Sequence, residues 1–564
     1  MGARVFSSRI SLMLGLCAAA LAAAAESGDV LPSVRARVDR LQPERDRRLP
    51  GDEALEAAGA RIGRVLIVTD NVFDTSKPQE DAAIPRLANR LHIRTKPGTI
   101  ESQLLFRSGD SYSARALAES ERLLRKTRYL QEASIRPVSW RDGVVDIEVR
   151  THDVWTLNPG ASFGRSGGES STGLQLEELN LLGLGTQLGV GLTSDTDRTS
   201  ESLLFHDGQI FGTWWGLAAQ AANNSDGRTY DLGLDHPFFA MDTRWAAGLS
   251  LKDDQRIDSL YDRGEITDRF RTHQRRAQVY GGWSRGLVNG AARRWTAGLT
   301  YDESRFDAGP GEWATSGFVP PDRKLVYPWI GYDWAQDHYA KARNRDHIEK
   351  TEDVNLGWRL GARIGWAGTA WGADRDAAIF SAHLDKGLEL ASRRTLLLSG
   401  SLGGRLEKGS FADALASVAG RYYQRQSDRR LLYLGLQADF AHALDVDHQL
   451  LLGGDNGLRG YPLRYQGGDG RWLFTAEQRW FSNWYPFRMI NVGAAMFFDV
   501  GSSWGDHPLG QPSLGLLKDI GVGLRLGNNR SALGNVLHID IAMPLDATGS
   551  IDKLQFLVKT YEMF

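Results

Sequence analysis

The sequence predicts a mostly β protein, a transmembrane antiparallel β-barrel behind a small α/β domain. Three observations predict it. Short runs in which every second residue is apolar fill the chain from residue 158 onward. Glycine supplies 63 of 564 residues, and Gly, Asp, Asn and Ser separate those runs as turn formers would. No stretch after residue 25 reaches the roughly 18 apolar residues of a spanning helix, so any membrane crossing falls to strands.

The chain begins with the pattern of a secretory leader over residues 1–25. Arg4 and Arg9 precede the apolar run Ile10 to Ala25, which ends in Ala23-Ala24-Ala25. The lone cysteine, Cys17, lies inside this leader, and Leu16 before it is too large for a lipoprotein site. Disulfides are therefore not expected in the mature chain. Residues 26–60 are rich in Arg, Glu, Pro and Ala without a lasting apolar period, which predicts a tether.

Residues 61–157 predict the α/β domain in the order strand, helix, helix, strand, strand. Val65-Leu66-Ile67-Val68 has the character of a strand, and Thr99 to Phe106 of a short helix after Pro97-Gly98. A better helix runs from Ser113, an N-cap residue, to Leu130, with Tyr112 and Leu117 placed as a hydrophobic staple. Ala116, Leu117, Ser120, Leu123, Leu124, Thr127 and Leu130 form its inner stripe. Ala133 to Trp140 and Val144 to Trp155 follow as strands around the turn Arg141-Asp142-Gly143.

Residues 158–564 predict the barrel. Val492, Ala494, Met496, Phe498 and Val500 share one face, which places Asp499 on the other. Trp472, Phe474, Ala476 and Trp480 likewise place Glu477 opposite. A closed barrel is the one sheet that leaves no unpaired edge in lipid. Five strand candidates follow Arg459 and up to fifteen precede it; discounted for long strands that continue into loops, this tally sits with a barrel in the middle teens. Trp214, Trp215, Trp329, Trp334, Trp472, Trp480, Trp484 and Tyr485 are assigned to interfacial girdles.

Charge excludes little beyond nucleic-acid binding: 67 basic residues face 69 acidic ones, a net −2. Enzymatic motifs are lacking. There is no Gly-x-Ser-x-Gly elbow, His-Glu-x-x-His helix or phosphate loop, and His152-Asp153 on a strand would face opposite ways. The glycine-aspartate runs 453–457 and 467–470 fit turns better than calcium loops. Catalytic residues, cofactors and metals are not expected.

The candidate site is the run Leu458-Arg459-Gly460-Tyr461 with Glu477 and Asp499 downstream. A cationic loop tip followed by two inward carboxylates predicts a loop folded into the barrel and pinned there. Guanidinium can reach two carboxylates through its fork of donors, which lysine cannot match. Barrel closure further requires the first strand, near Ala161 and Phe163, to meet the last, near Leu554, Phe556 and Val558.

These residues carry a resemblance. Residues 61–157, with FRSGDSYSARALAESERLLRKTRYL and DIEVRTHDVWTL, resemble a polypeptide-transport-associated (POTRA) domain. Residues 158–564 resemble the barrel of the Omp eighty-five superfamily (bacterial surface antigens), through LRGY, AEQRWF, FFDVGSSW, KDIGVGLRL and HIDIAMPL. The family motif has Val or Ile where Leu458 stands. The resemblance implies sixteen strands, a loop arginine held by acids on the next two strands, a seam that opens sideways, and a sorting signal ending in Phe564. It implies a single-chain outer-membrane barrel with its POTRA-like domain in the periplasm, working on lipid, extended client polypeptides and periplasmic accessory proteins. Insertion or translocation of polypeptides is the leading expectation. A secretion pore for a single exported partner, a passive channel or surface receptor, and a soluble secreted β protein stay open.

Overall fold

The computed structural model describes residues 49–315, 319–505, 513–532, 536–546 and 551–561. The leader, residues 26–48 of the tether and Phe564 lie outside the described residues.

The N-terminal domain contains α1 (Asp52–Ala57), β1 (Arg61–Asp70), α2 (Ala83–Leu91), α3 (Pro97–Glu101), α4 (Ala114–Lys126), β2 (Leu130–Arg141) and β3 (Val144–Asp153). The expected strand, helix, helix, strand, strand order is present, but α2 is an additional helix, so the pattern β-α-α-β-β is incomplete. α1 falls in the segment assigned to the tether, yet its Leu55 is fully buried in the domain core. β3 is central, parallel to β1 and antiparallel to β2. Asp142 and Gly143 both take positive φ, 51° and 78°, which closes the β2–β3 hairpin with the right twist. Leu117 and Leu124 of α4 pack with Ile62, Ile100, Leu130, Val145, Ile147 and Val149.

Ser113 caps α4: its Oγ accepts from the Ala116 N–H at 3.3 Å. Ser113→Ala is expected to cost about 1 kcal/mol. Hydrogen exchange should then quicken in the first turn of α4 while the barrel amides keep their rates.

The barrel is closed and contains twenty strands among the described residues. They are β4 (Leu157–Ser166), β5 (Glu169–Leu181), β6 (Thr186–Ser194), β7 (Thr199–Asp207), β8 (Gly216–Asn224), β9 (Gly227–His236), β10 (Trp245–Asp262), β11 (Glu265–Val288), β12 (Ala291–Ala308) and β13 (Arg323–Gln336). After a small hairpin, β14 (Tyr339–Arg343) and β15 (Thr351–Asn355), come β16 (Trp358–Ala367), β17 (Ala377–Ala391), β18 (Arg394–Glu407), β19 (Ser410–Ser427) and β20 (Arg430–His442). Two short segments, β21 (Leu451–Leu452) and β22 (Gln466–Gly467), bridge the base of a long loop. The last five strands are β23 (Gly470–Phe481), β24 (Ile490–Trp504), β25 (Leu517–Asn528), β26 (Val536–Pro544) and β27 (Gln555–Tyr561). Sixteen strands is therefore corrected to twenty. The long strands β10, β11 and β12, of 18, 24 and 18 residues, are single crossings that continue beyond a bilayer's depth. Discounting for them was the error, because they do not double any count.

Each neighbouring pair is antiparallel, and the pleat sorts the side chains. Met496, Val522, Ile541 and Phe556 stand in register on β24 to β27, all exposed on the outside. Leu249, Val279 and Leu299 form a similar row on β10 to β12. An apolar band outside and charges inside is what a lipid-embedded barrel requires. Trp329 departs from the girdle expectation: it is buried inside the barrel with Leu325 and Tyr327, and its Nε1–H donates to the Thr300 hydroxyl. Trp334 alternates to the outer face, as the girdle reading requires.

The α/β domain sits beneath one rim, hereafter the domain side. Arg122 pairs with Asp337 at 3.0 Å after β13, Glu119 accepts from the Met241 N–H, and Arg115 pairs with Asp242.

Candidate functional site

The long loop between β20 and β23, residues 443–469, enters from the far side and folds into the lumen. Arg459 is buried. Its Nε and one terminal nitrogen meet the two oxygens of Asp499 at 2.7 and 3.0 Å. The other nitrogen reaches Glu477 at 3.0 Å and Asp540 at 3.4 Å. The guanidinium also lies 3.3 Å above the centre of the Phe497 ring. Gly460 donates its N–H to Asp519 at 3.0 Å; a Cβ there would come within 2.6 Å of the Asp519 side chain, so only glycine fits. Tyr461 is fully buried with Leu452, Leu458, Tyr465 and Leu517, and its hydroxyl bonds both backbone groups of Lys518.

Glu477 and Asp499 thus meet the loop from β23 and β24, the two strands that follow it. Sequence reasoning missed the rest of the cage. Asp519 and Arg525 come from β25 and Asp540 from β26; Arg525 pairs with both Glu477 and Asp540. Arg479 pairs with Glu477 at 2.8 Å. The missed signal was phase. All occupy the inward positions of strands whose other phase is apolar.

The loop also ties the barrel's closure together. β27 pairs with β4, so the first and last strands meet as required. Among the described residues their register is one pair, Val558 opposite Arg165, against seven between β26 and β27. Phe163 and Phe556 point outward beside this seam, and Leu554 lies just before β27 rather than in it. The carbonyl of Gly454, in the loop, accepts from Ser166 of β4 at 2.6 Å and from Lys559 of β27 at 2.7 Å. One backbone oxygen therefore holds both seam strands. Gly167, at φ 56°, lets the loop approach; a Cβ there would meet the Leu463 nitrogen at 2.3 Å.

A second element enters from the domain side. The β14–β15 hairpin leaves the rim after β13 and crosses the lumen. Its second strand is held to the α/β domain: Arg125 grips Asp353 at 2.7 and 2.8 Å, and Thr351 donates to Glu132. Its tip, between Asn344 and Glu349 at positive φ, reaches the opposite wall. There Ile348 packs with Tyr423, Leu431, Phe481 and Val536, the Tyr423 hydroxyl donates to Asp346, and Arg479 donates to the Arg345 carbonyl at 2.6 Å. Around the hairpin lies a cavity of about 820 Å³, shared by the domain, the hairpin and the wall. Nothing in the sequence foretells this hairpin: YAKAR and TEDVN are only five residues each and charged.

Glu352 organises the hairpin tip by accepting the N–H groups of Arg345, Asp346 and His347 at 3.1 to 3.3 Å. Burial, and then the nearby Asp346 carboxylate, push its pKa from 4.5 up to about 7. The folded hairpin thus holds this proton more tightly than the unfolded chain does. The stabilisation is complete below the ordinary carboxylate value and is lost as pH rises through 7. Amide exchange in the hairpin, corrected for its intrinsic pH dependence, should quicken between about pH 4.5 and pH 7 and level off above that. Glu352→Gln should flatten that change.

No family model matches the chain, and no curated protein does. Solved barrels do match. BamA from Haemophilus ducreyi, lacking POTRA domains 1-3, is similar at 14% identity over 88% of this chain and 85% of that chain, with a TM-score of 0.39. CdiB from Acinetobacter baumannii is similar at 15% identity over 89% of this chain and 73% of that chain, with a TM-score of 0.44. CdiB from Escherichia coli is similar at 14% identity over 89% and 76%, also with a TM-score of 0.44.

Proposed function

We propose that this chain is an outer-membrane barrel that inserts or translocates polypeptides, with the α/β domain in the periplasm capturing an extended client. The carrying observation is the single Gly454 oxygen that holds β4 and β27 across a seam with one register pair among the described residues. A loop that holds both strands sets how they meet, and so gates the seam to an added strand. No bond is made or broken; strand pairing does the work. Client capture is placed on β2, an outer strand of the domain sheet, beyond Ile135, because an extended chain can add to a sheet edge through backbone hydrogen bonds whatever its side chains; before that point the edge is taken, with the Ile135 N–H donating to Glu121 and the Ala133 carbonyl accepting from Arg125. Part of β1's edge is already occupied: Ile62 exchanges bonds with Asp110 and Gly109. The hairpin across the lumen argues against a standing pore.

The test is photo-crosslinking in cells from Ser134 on β2, from Phe163 and Phe556 at the seam, and from Leu249 on the outer band as control. Successive capture of one newly exported polypeptide at Ser134 and then at the seam is expected. Its later location, membrane or medium, separates insertion from dedicated secretion. Equal capture at Leu249, or none at the seam, would remove the reading.

A further inference from the structure

Helix α2 carries a face that nothing among the described residues covers. Ile84, Leu87 and Leu91 recur at three- and four-residue spacing and are 68%, 56% and 63% exposed; Ile93, just beyond, is 54% exposed. The other side is seated: Pro85 is buried, and the Asn89 side chain exchanges two hydrogen bonds with the Phe73 backbone. Scattered exposed leucines are ordinary, but a contiguous apolar stripe marks an interaction surface. Arg86 and Arg90 sit beside the stripe at four-residue spacing, and Arg94 follows just after the helix. Arg86 is held by Asp81, whereas the described residues offer Arg90 and Arg94 no side-chain partner.

The position of α2 identifies what covers the stripe. Before the helix, the Val72 carbonyl and Glu80 bind Arg530, in the turn between β25 and β26, each at 2.7 Å. After it, Lys96 and Thr99 bind the Gly183 carbonyl, in the turn between β5 and β6, each at 2.9 Å. Around the barrel the seam between β27 and β4 lies between those two turns. The segment carrying α2 therefore runs along the domain-side rim across the foot of the seam. Trp484 and Phe487, on the turn between β23 and β24, and Leu182, beside Gly183, are also strongly exposed on this rim. Apolar side chains thus continue along the rim on both sides of the seam, at the level where the barrel's outer band ends.

From this geometry we infer that α2 is an interfacial helix, lying in the domain-side leaflet of the outer membrane beneath the seam. Ile84, Leu87 and Leu91 enter the acyl region, and Arg90 and Arg94 face phospholipid phosphates. Helices with an apolar face and flanking arginines lie in this plane, roughly 5–10 Å into the headgroup boundary. Guanidinium groups suit phosphate oxygens. The bilayer is favoured over a polypeptide occupant because the stripe borders the lipid-facing rim and cationic residues flank it. The inference rests on the membrane siting proposed above, and it adds a lipid contact at the place where the strands must part.

The experiment uses the full chain in vesicles of phosphatidylethanolamine and phosphatidylglycerol, with Cys17→Ser and a bimane label on a single introduced cysteine. Leu87→Cys tests the stripe, Leu249→Cys the outer band, and Lys77→Cys an exposed loop. Nitroxide lipids labelled near the headgroup, or near the chain end, quench the label by depth. At Leu87 a blue-shifted emission is expected, with about twofold or more stronger quenching by the shallow nitroxide than by the deep one. Lys77 should stay unquenched. Quenching at Leu249 without quenching at Leu87 overturns the inference and leaves the membrane siting intact. No quenching at either overturns both. A blue shift at Leu87 without lipid quenching also overturns it, because protein, whether residues 1–48, a second copy or a client, then covers the face.

Discussion

Arg459→Ala is expected to abolish client capture at the seam and to destabilise the closed barrel by about 3–5 kcal/mol, the cost of breaking a buried ion pair from one side. The guanidinium neutralises part of a cage of four carboxylates: Glu477, Asp499, Asp519 and Asp540. Arg479 and Arg525 remain after its removal, but they already serve Glu477 and Asp540. Asp499 would be left buried without its partner and would draw in water, and the loop would leave. Arg459→Lys should fall between. It keeps the charge but cannot span both Asp499 oxygens while reaching Glu477, and a bond to a charged group is worth about 1.5–3 kcal/mol. The temperature at which the folded band is lost in detergent gel electrophoresis measures the destabilisation. Crosslinking at Phe163 and Phe556 measures function. Both variants should assemble better than they work, because the twenty-strand ladder does not include the loop. The double variant Arg459→Ala with Asp499→Ala should cost less than the two single costs added. A purified Arg459→Ala barrel as stable and as active as the parent would end the latch account.

Much of this site was legible because period two is strict. The alternation in AEQRWF and FFDVGSSW required Glu477 and Asp499 to face inward, and both meet Arg459. The same alternation offers up to fifteen strand candidates before the loop and five after it, and the barrel has twenty strands among the described residues. Discounting long strands lowers that tally toward the sixteen the resemblance implies, although each alternating run marks a crossing. Asp519, Arg525 and Asp540 were readable by phase and were passed over, since a lumenal charge carries no mark of its partner. What no pattern could supply is contact between distant segments. Gly454 with Ser166 and Lys559, Arg530 with Glu80, and the hairpin tip with Tyr423 join residues far apart in the chain through one or two bonds each. Such contacts impose no periodicity. The hairpin is the clearest case: its strands are five residues each, charged on both faces, and are held by Arg125, Glu132 and Arg479 from elsewhere.

Replacing residues 340–354 by two glycines is expected to raise single-channel conductance several-fold and to make it steady. Barrels of 16 to 18 strands already leave an aqueous channel when their lumen is not filled, and this one has twenty. Two elements fill it: the loop from the far side and the hairpin from the domain side. They meet through one chain of contacts. The Arg345 carbonyl at the hairpin tip accepts from Arg479, Arg479 pairs with Glu477, and Glu477 holds Arg459. Shortening the hairpin opens the domain-side mouth and also leaves Arg479 free to compete with Arg459 for Glu477. The deletion should therefore loosen the loop as well, seen as faster exchange of the Gly460 amide, which bonds Asp519 at 3.0 Å. Ile348→Asp separates the two effects. It removes the tip's apolar anchor among Tyr423, Leu431, Phe481 and Val536 while the second strand stays bound through Arg125 and Asp353. Flickering rather than steady conductance is expected from it, with a smaller change at Gly460. Planar-bilayer recording decides the matter. Unchanged conductance in the deletion would mean that the loop alone seals the barrel and that the hairpin only braces the domain. Raised conductance with an unchanged Gly460 amide would mean that the Arg479 contact does not transmit.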